Sequence, residues 1–262
     1  MDIVYSLLAH EDPESLIDFL NNIMYFNRGL KVSIIIHTND FMYENLKNLD
    51  LKCVFLNPSH FNKKLVHISL FKGHIENFLL TRDLNIDFKY FIPVASNCYF
   101  HKELKLEYIE TLLEKSDVAV RGTNYNNGWN WWPSIFKNQK LMNIFFNEEK
   151  CIDLFINQHE GQIHTYESIS YISDVVKKYK IFEIIEIEDT VFEEFMFSTL
   201  YARCTGKKIV DICNMFWDLP SFRPNIQQIE SSDKPMVKRV FRNFYDDVRV
   251  YFRNKTNNYL NA

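Results

Sequence analysis

Two adjacent acidic residues lead directly into an aromatic segment late in the chain. Glu193 and Glu194 precede Phe195, Met196 and Phe197, where an aromatic and aliphatic helix is predicted. A structural explanation is that carboxylates favour the positive, N-terminal end of a helix. A catalytic explanation is that one carboxylate points into a cleft as a general base. A carboxylate partly desolvated beside aromatic rings has a raised pKa and accepts a proton near neutrality. The spacing alone leaves both explanations open.

Polar side chains follow three apolar runs of strand length, at residues 3–9, 32–37 and 90–95. Ligands of open α/β sheets bind beyond the carboxyl ends of the strands. We therefore expect these side chains to share a ligand cleft, although ordinary loops of an α/β protein are polar as well. The residues in these positions are His10 and Glu11, then His37, Thr38, Asn39 and Asp40, then Ser96 and Asn97.

The C-terminal segment is basic although the whole chain is acidic. Residues 234–255 contain seven Lys or Arg residues and two Asp residues, whereas the chain has a net charge of −4. A solvated charged helix is the ordinary explanation. Lys238 or Arg239 could instead bind phosphate oxygens directly, or the segment could contact an anionic membrane surface.

Three tryptophans stand in a loop rich in Gly and Asn, at residues 122–133. Trp129, Trp131 and Trp132 could form a hydrophobic plug that anchors the loop. Exposed aromatic faces flanked by amides also suit stacking on sugar rings or bases.

Several classes of protein are disfavoured by what the sequence lacks. There is no G-x-G-x-x-G or G-x-x-x-x-G-K-[ST] motif, and only 6 glycines, which argues against dinucleotide-binding dehydrogenases and P-loop enzymes. The 5 cysteines form no C-x-x-C pair and the 8 histidines are scattered, so no disulfide framework or metal site is predicted. The acidic body argues against nucleic-acid binding. With no signal-like start and no apolar run of about 20 residues, we predict a cytoplasmic protein.

The order of elements predicts an α/β fold. Asp12 and Pro13 start a first helix that Gly29 closes, and a polar loop at residues 38–40 ends the second strand. A short strand at residues 53–56 stops at Asn57 and Pro58, and helices are predicted at 67–83 and 103–115. A further strand is predicted at 118–120. Strand–helix–strand units imply a mostly parallel sheet flanked by helices. We find no linker, so we predict one domain, residues 1–262, with a decorated C-terminal half.

Six segments resemble, in order, a known family. Tyr5-Ser6-Leu7-Leu8-Ala9-His10, Ile35-Ile36-His37-Thr38-Asn39 and residues 91–100 are similar to segments of the core-2/I-branching β-1,6-N-acetylglucosaminyltransferase family, including its small bacterial and viral-type relatives. Residues 161–167 resemble its Gly-Ser-Ala-Tyr-Phe segment. Residues 193–199 resemble Asp-Glu-Tyr-Leu-Trp-Ala-Thr, and residues 236–240 resemble Phe-Ala-Arg/Asn-Lys-Phe.

The resemblance implies a GT-A-like fold with a Rossmann-like N-terminal half and C-terminal helical decoration. Residues 1–125 would form the nucleotide-binding half, and residues 126–262 the acceptor and catalytic half with the basic tail. The reaction would be an inverting sugar transfer from a nucleotide donor, with UDP-sugar the expected class. No acidic residue lies between Phe91 and Phe100, so the DXD metal motif is missing and no metal or other cofactor is expected.

The resemblance also implies roles for individual residues. Glu194 matches the catalytic base and Lys238 matches the lysine that binds the donor diphosphate, with Arg239 nearby. Trp129, Trp131 and Glu193 are expected on the acceptor or sugar side, the tryptophan role being a hypothesis that no family motif supports. The remaining donor-site residues would be His10, His37, Asn39, Asp40, Ser96 and Asn97.

The leading hypothesis is therefore a metal-independent transferase acting on a surface glycan or a lipid-linked oligosaccharide. It would work in the cytoplasm or peripherally on the inner membrane face, held by the basic tail. A metal-dependent or retaining transferase of similar fold is one alternative. A non-catalytic carbohydrate-binding protein that uses the tryptophan loop is another. A nucleic-acid module is the least favoured, because the body is acidic.

Overall fold

The computed structural model describes residues 1–10, 12–48, 51–61, 67–116, 132–185, 192–216, 219 and 223–260. The N-terminal half alternates strands and helices. Its elements are β1 (Ile3–Ala9), α1 (Pro13–Phe26), β2 (Val32–Asn39), α2 (Asp40–Leu46), β3 (Val54–Phe61), α3 (His67–Asp83), β4 (Tyr90–Ala95), β5 (Cys98–Phe100) and α4 (Leu106–Lys115).

The C-terminal half is mainly helical. Its elements are α5 (Trp132–Lys137), α6 (Gln139–Asn143), a π-helical turn (Ile144–Glu148), β6 (His164–Thr165), α7 (Tyr166–Lys178), α8 (Ile181–Ile185), α9 (Phe192–Thr205), β7 (Cys213–Asn214), α10 (Ile226–Ser231), β8 (Met236–Lys238) and α11 (Asp247–Leu260). No helix within the described ranges is long and apolar enough to cross a membrane.

Five strands form the central sheet in the order β3-β2-β1-β4-β6. β3, β2, β1 and β4 are parallel, and the short β6 pairs with β4 in the antiparallel direction. The predicted mostly parallel α/β sheet is thus confirmed. A second sheet has the order β5-β8-β7.

The sheet is covered on both faces by apolar side chains. Alternating residues of β1 point to opposite sides: Ile3, Tyr5 and Leu7 pack with α1 and α11, whereas Val4 packs with α3, α7 and α9. The period of two along a strand produces this division. Ser6, on the α3 side, is buried and contacts His74 of α3 with its hydroxyl at 2.7 Å from Nδ1.

The start of α1 was predicted correctly but its end was not. The Asp12 carboxylate accepts a hydrogen bond from Ser15 N, and Pro13 is the first helical residue. The helix ends at Phe26 with Asn27 as the C-cap, before Gly29. The Asn27 side chain donates to the Ile23 carbonyl, so an amide satisfies one of the last carbonyls in place of a glycine turn.

Two strands are longer than the sequence predicts. β2 continues through the predicted loop at 38–40 because Thr38 and Asn39 pair with β3, and Asp40 already begins α2. β3 continues through Pro58 because β3 is the edge strand of the sheet, where a residue without an N–H is tolerated. The helix predicted at 67–83 is confirmed, and the one at 103–115 begins at Leu106. The strand predicted at 118–120 lies outside the described residues.

Candidate functional site

The carboxyl ends of β1, β2 and β4 lie side by side. Leu8 of β1 is in register with His37 of β2 and with Ala95 of β4. The amide N–H of Ser96 donates to the Leu8 carbonyl, and the Asn39 side chain donates to the His10 carbonyl at 2.9 Å. The polar residues predicted to follow these strands therefore share one edge of the sheet, except Glu11, which lies outside the described residues.

A loop that precedes β6 is fixed against the same end of β4. Gly161 N donates to the Pro93 carbonyl at 2.8 Å. Gly161 has a φ of +81°, and an added Cβ would lie 2.6 Å from the Cβ of Cys213. Only glycine fits this backbone and this spacing. The tight contact holds the preceding residue, Glu160, beside β4.

Glu160 forms a buried ion pair with Lys238 of β8. The Glu160 Oε1 atom lies 2.6 Å from Lys238 Nζ, and the two side chains are 4% and 16% exposed. His159 Nε2 lies 3.1 Å from the same carboxylate oxygen. Lys238 reaches this position because β8 pairs with β5, where Cys98 is directly opposite Lys238.

Burial alone would raise the pKa of the Glu160 carboxyl, but the neighbouring His159 and Lys238 outweigh it and lower the pKa to about 2. Burial likewise opposes the charge of Lys238, yet Glu160 raises the pKa of the ammonium above its ordinary value. Burial lowers the pKa of His159 to about 4, so its imidazole is neutral at pH 7. Glu160 and Lys238 are therefore both charged at neutral pH.

The two acidic residues of α9 occupy different environments. Glu193 is 2% exposed, and burial raises the pKa of its carboxyl well above the ordinary value. The charges of Glu160 and Lys238 also act on Glu193. The loop before Glu160 contacts the first turn of α9, because Asn157 N donates to the Glu194 carbonyl at 3.0 Å. Glu194 is half-buried. The desolvation that the sequence analysis expects at a carboxylate of this turn occurs at Glu193 rather than at Glu194.

The segment after β8 runs along the residues that follow β4. Val240 N donates to the Asn97 carbonyl at 3.1 Å, and Arg242 Nε donates to the Ser96 hydroxyl at 2.7 Å. Arg239, between Lys238 and Val240, has a φ of +75°, so the chain turns sharply directly after Lys238. The structure thus brings the predicted residues Ser96 and Asn97 close to the predicted residues Lys238 and Arg239.

The other predicted donor-site residues make structural contacts. His37 lies within β2, buried, with Nε2 3.1 Å from the Glu76 carboxylate of α3. The Asn39 side chain caps α2 by accepting from Met42 N, and Asp40 is the first residue of that helix. Trp129 and Trp131 lie outside the described residues. Trp132 begins α5.

Most of the basic tail is paired within the protein. Arg249 is wholly buried and Arg253 is partly buried, and both bind the Asp18 carboxylate of α1. Lys234 pairs with Asp211, and Lys255 pairs with Glu230. A solvated charged helix is therefore the wrong explanation for Arg249, because its guanidinium holds the first and last helices together.

Sequence reasoning missed the buried polar residues behind the ion pair. His159 and His164, which flank Glu160 and Gly161, were each interpreted as a structural or surface histidine, and Glu160 was given no role. The ring of His74 lies 5.3 Å from that of His159, and both are buried. No local motif marks these residues, since their proximity depends on contacts between distant segments. Among the residues that the structure describes, no group of three or more His, Cys, Asp or Glu side chains is arranged to hold a metal ion.

The fold and the site together define an α/β protein with a mostly parallel sheet. The cationic segment after β8 lies against the residues that follow β4, and Lys238 pairs there with Glu160. No protein-family model matches the sequence. A search of the curated proteins also gives no match.

Proposed function

We propose that the protein is an inverting, metal-independent glycosyltransferase with a GT-A-like fold. It moves a sugar from a nucleoside-diphosphate donor, with UDP-sugar the expected class, to a hydroxyl of a surface glycan or a lipid-linked oligosaccharide. The proposal rests on the resemblance of six sequence segments to the core-2/I-branching transferases. It extends to the location, which is the cytoplasm or the inner membrane face.

One observation carries the proposal. Arg242, in the segment after β8, contacts Ser96, which follows β4. Lys238 pairs with Glu160, and the loop before Glu160 contacts the first turn of α9, because Asn157 N donates to the Glu194 carbonyl. These segments are far apart in the sequence. A transferase needs such a combination, because it must bind an anionic leaving group and remove a proton from the attacking hydroxyl.

In the proposed mechanism, Glu194 takes the proton of the acceptor hydroxyl. The hydroxyl oxygen attacks the anomeric carbon from the face opposite the diphosphate. The bond between that carbon and the β-phosphate oxygen breaks, and its electron pair leaves with the nucleoside diphosphate. Lys238 and Arg239 stabilise the negative charge that develops there, which is the task of a metal ion in other transferases.

Glu194 is a better candidate for the base than its neighbour. A general base must come within hydrogen-bond distance of the acceptor hydroxyl. Glu194 is half-buried, so an acceptor can reach it, whereas Glu193 is 2% exposed and has a raised pKa that favours the neutral acid. We expect Glu193 to support the site as a buried residue that does not contact the acceptor.

The test compares Glu194→Gln with Glu193→Gln in the full chain. Purified protein is first screened by thermal shift against UDP and a panel of nucleotide sugars, with and without EDTA. A ligand at about 100 times its Kd adds roughly 2.7 kcal/mol of stability. Transfer from the stabilising donor to oligosaccharide acceptors is then measured. Glu194→Gln is expected to lower kcat by about 10²–10⁴-fold while donor binding persists.

Three outcomes would contradict the proposal in different ways. If no nucleotide stabilises the protein under any metal condition, the donor site does not exist and a sugar-binding protein becomes the better explanation. If activity disappears in EDTA, the metal-dependent alternative is correct. If Glu193→Gln abolishes transfer and Glu194→Gln does not, the base is assigned to the wrong member of the pair.

A further inference from the structure

The Glu160–Lys238 pair raises a question for the proposed function, on which this inference rests. Lys238 is the residue proposed to bind the donor diphosphate, yet its ammonium already lies 2.6 Å from a carboxylate. Both groups are charged at neutral pH, since the pKa of Glu160 is lowered and that of Lys238 is raised. The pair therefore has no net charge, and a bound diphosphate would lie near a negative group.

We propose that Glu160 is a positioning residue that holds Lys238 in the site and, through its charge, weakens the binding of the nucleoside-diphosphate product. The ammonium is kept in place by an oxygen acceptor. The same oxygen belongs to an anion that repels the phosphates. Without a metal to dissociate with the product, such a group helps the enzyme to release it.

The position of Glu160 is built into the fold. Gly161, the next residue, is fixed by its bond to Pro93 and by its contact with Cys213. The Nε2 atom of His159, the preceding residue, lies 3.1 Å from the same Oε1 atom. Because the Glu160 side chain is only 4% exposed, we expect its carboxylate to stay beside Lys238 when the ligand arrives, so that its repulsion persists in the bound state.

Two effects of removing the charge have opposite signs, and their sizes decide the expectation. Loss of the ion pair lets the Lys238 side chain adopt more rotamers. Ordering the side chain again on binding costs conformational entropy, which weakens binding. Loss of the negative charge removes a repulsion between Glu160 and the diphosphate, which carries several negative charges. This repulsion is strong in a site of low effective dielectric, so its loss strengthens binding. The second effect is larger, because it acts on more than one phosphate charge.

The experiment measures the Kd of UDP and of inorganic pyrophosphate by calorimetry for the wild type, Glu160→Gln and Glu160→Ala. The Gln side chain keeps the shape and an oxygen acceptor for Lys238 but removes the charge. We expect Glu160→Gln to bind both ligands about tenfold more tightly, which corresponds to about 1.4 kcal/mol. Glu160→Ala is expected to bind more tightly than the wild type by a smaller factor, because Lys238 loses its acceptor.

Glu149→Gln is the matched control. Glu149 is also a buried carboxylate with a lysine partner, Lys178, at 3.2 Å. It lies beside Arg203, at the other end of α9 from Glu193. We expect its substitution to leave both Kd values unchanged. A general loosening of the protein would weaken binding in either variant, so tighter binding confined to the Glu160 variants is not a sign of structural damage.

The results separate this inference from the proposed function. If the wild type binds UDP and both Glu160 variants bind it equally or more weakly, the inference is overturned and the transferase proposal stands. If the wild type and every variant bind neither UDP nor pyrophosphate, the transferase proposal fails and the inference fails with it. Should Glu160→Gln not fold, Glu160→Ala decides by the same criterion.

Discussion

Arg249 on the last helix donates a 3.0 Å hydrogen bond from Nη1 to the Asp18 carboxylate on the first helix. The same guanidinium donates to the carbonyls of Ser15, Ser96 and Phe241 at 2.6–2.9 Å. One fully buried side chain therefore links α1, α11, the residue after β4 and the segment that follows β8. The contact ties the ends of the chain to the edge of the sheet where the candidate site lies.

We expect Arg249→Leu to lower the free energy of unfolding by about 3–5 kcal/mol, because it leaves a buried carboxylate with one partner fewer and removes one donor from each of three carbonyls. The control is Lys255→Leu, which removes an exposed pair with Glu230 and should cost less than about 1 kcal/mol. Urea denaturation of both variants measures the difference. Equal effects would show that the buried contacts make no net contribution.

Comparing Gly161 with Gly206 separates the cost of backbone strain from the cost of a steric clash when a glycine is replaced by alanine. Both have a positive φ, +81° and +70°, but an added Cβ meets Cys213 at 2.6 Å in the first case and nothing within 4 Å in the second. Gly206→Ala should cost roughly 1–2 kcal/mol from backbone strain alone. Gly161→Ala should cost about 1–3 kcal/mol more, because the site is overpacked as well. The idea is wrong if thermal denaturation gives the two variants similar stabilities.

Glu193 should make the protein less stable as the pH rises. A carboxyl whose pKa is raised by folding contributes its full stability only below its unfolded pKa of about 4.3, and this contribution is lost as the pH rises through the folded pKa. The loss is about 1.4 kcal/mol for each pH unit within that interval. Glu193→Gln is therefore expected to gain stability over the wild type from pH 4 to pH 7. Urea titrations at four pH values measure this gain, and Glu194→Gln, which is not fully buried, is the control. A constant difference across the range would refute the expectation.

Two buried histidines should make the protein sensitive to acid. Burial lowers the pKa of His159 to about 4 and that of His164 to about 3. Their contribution is fully present above the unfolded pKa of about 6.5 and is lost as the pH falls towards the folded values. Between pH 6 and pH 4, each histidine contributes at most about 1.4 kcal/mol per pH unit to the change in the free energy of unfolding. His164→Asn should reduce this slope by one such increment, whatever its effect at pH 7. An unchanged slope would show that His164 binds no fewer protons in the folded protein than in the unfolded chain.

For α1, β2 and β3, local sequence signals predicted where the element begins better than where it ends. Asp12 and Pro13 start α1 by chemistry that involves only neighbouring residues. The lengths of β2 and β3 depend on pairing between strands, and Pro58 is acceptable only because no strand lies beyond β3 in the described sheet. Such long-range pairing is not visible in the composition of either segment.

The same limit applies to the candidate site. The acidic start of α9 and the basic segment around Lys238 were recognised as unusual from their residue types. That Glu193 is the buried member of its pair, and that Glu160 is the partner of Lys238, depends on contacts among three segments that no single pattern connects. No local sequence pattern distinguishes Glu160, apart from the glycine that follows it.

The small sheet also bears on the order in which the protein assembles during folding. β8 is its central strand, but β8 follows both β5 and β7 in the chain. β5 and β7 therefore have no partner in this sheet until the last strand is inserted, and pairings between distant segments form slowly. A folding intermediate that already has its large parallel sheet still lacks the Lys238 ammonium at the edge of β4. The anion site that we propose there is therefore completed only when β8 is inserted.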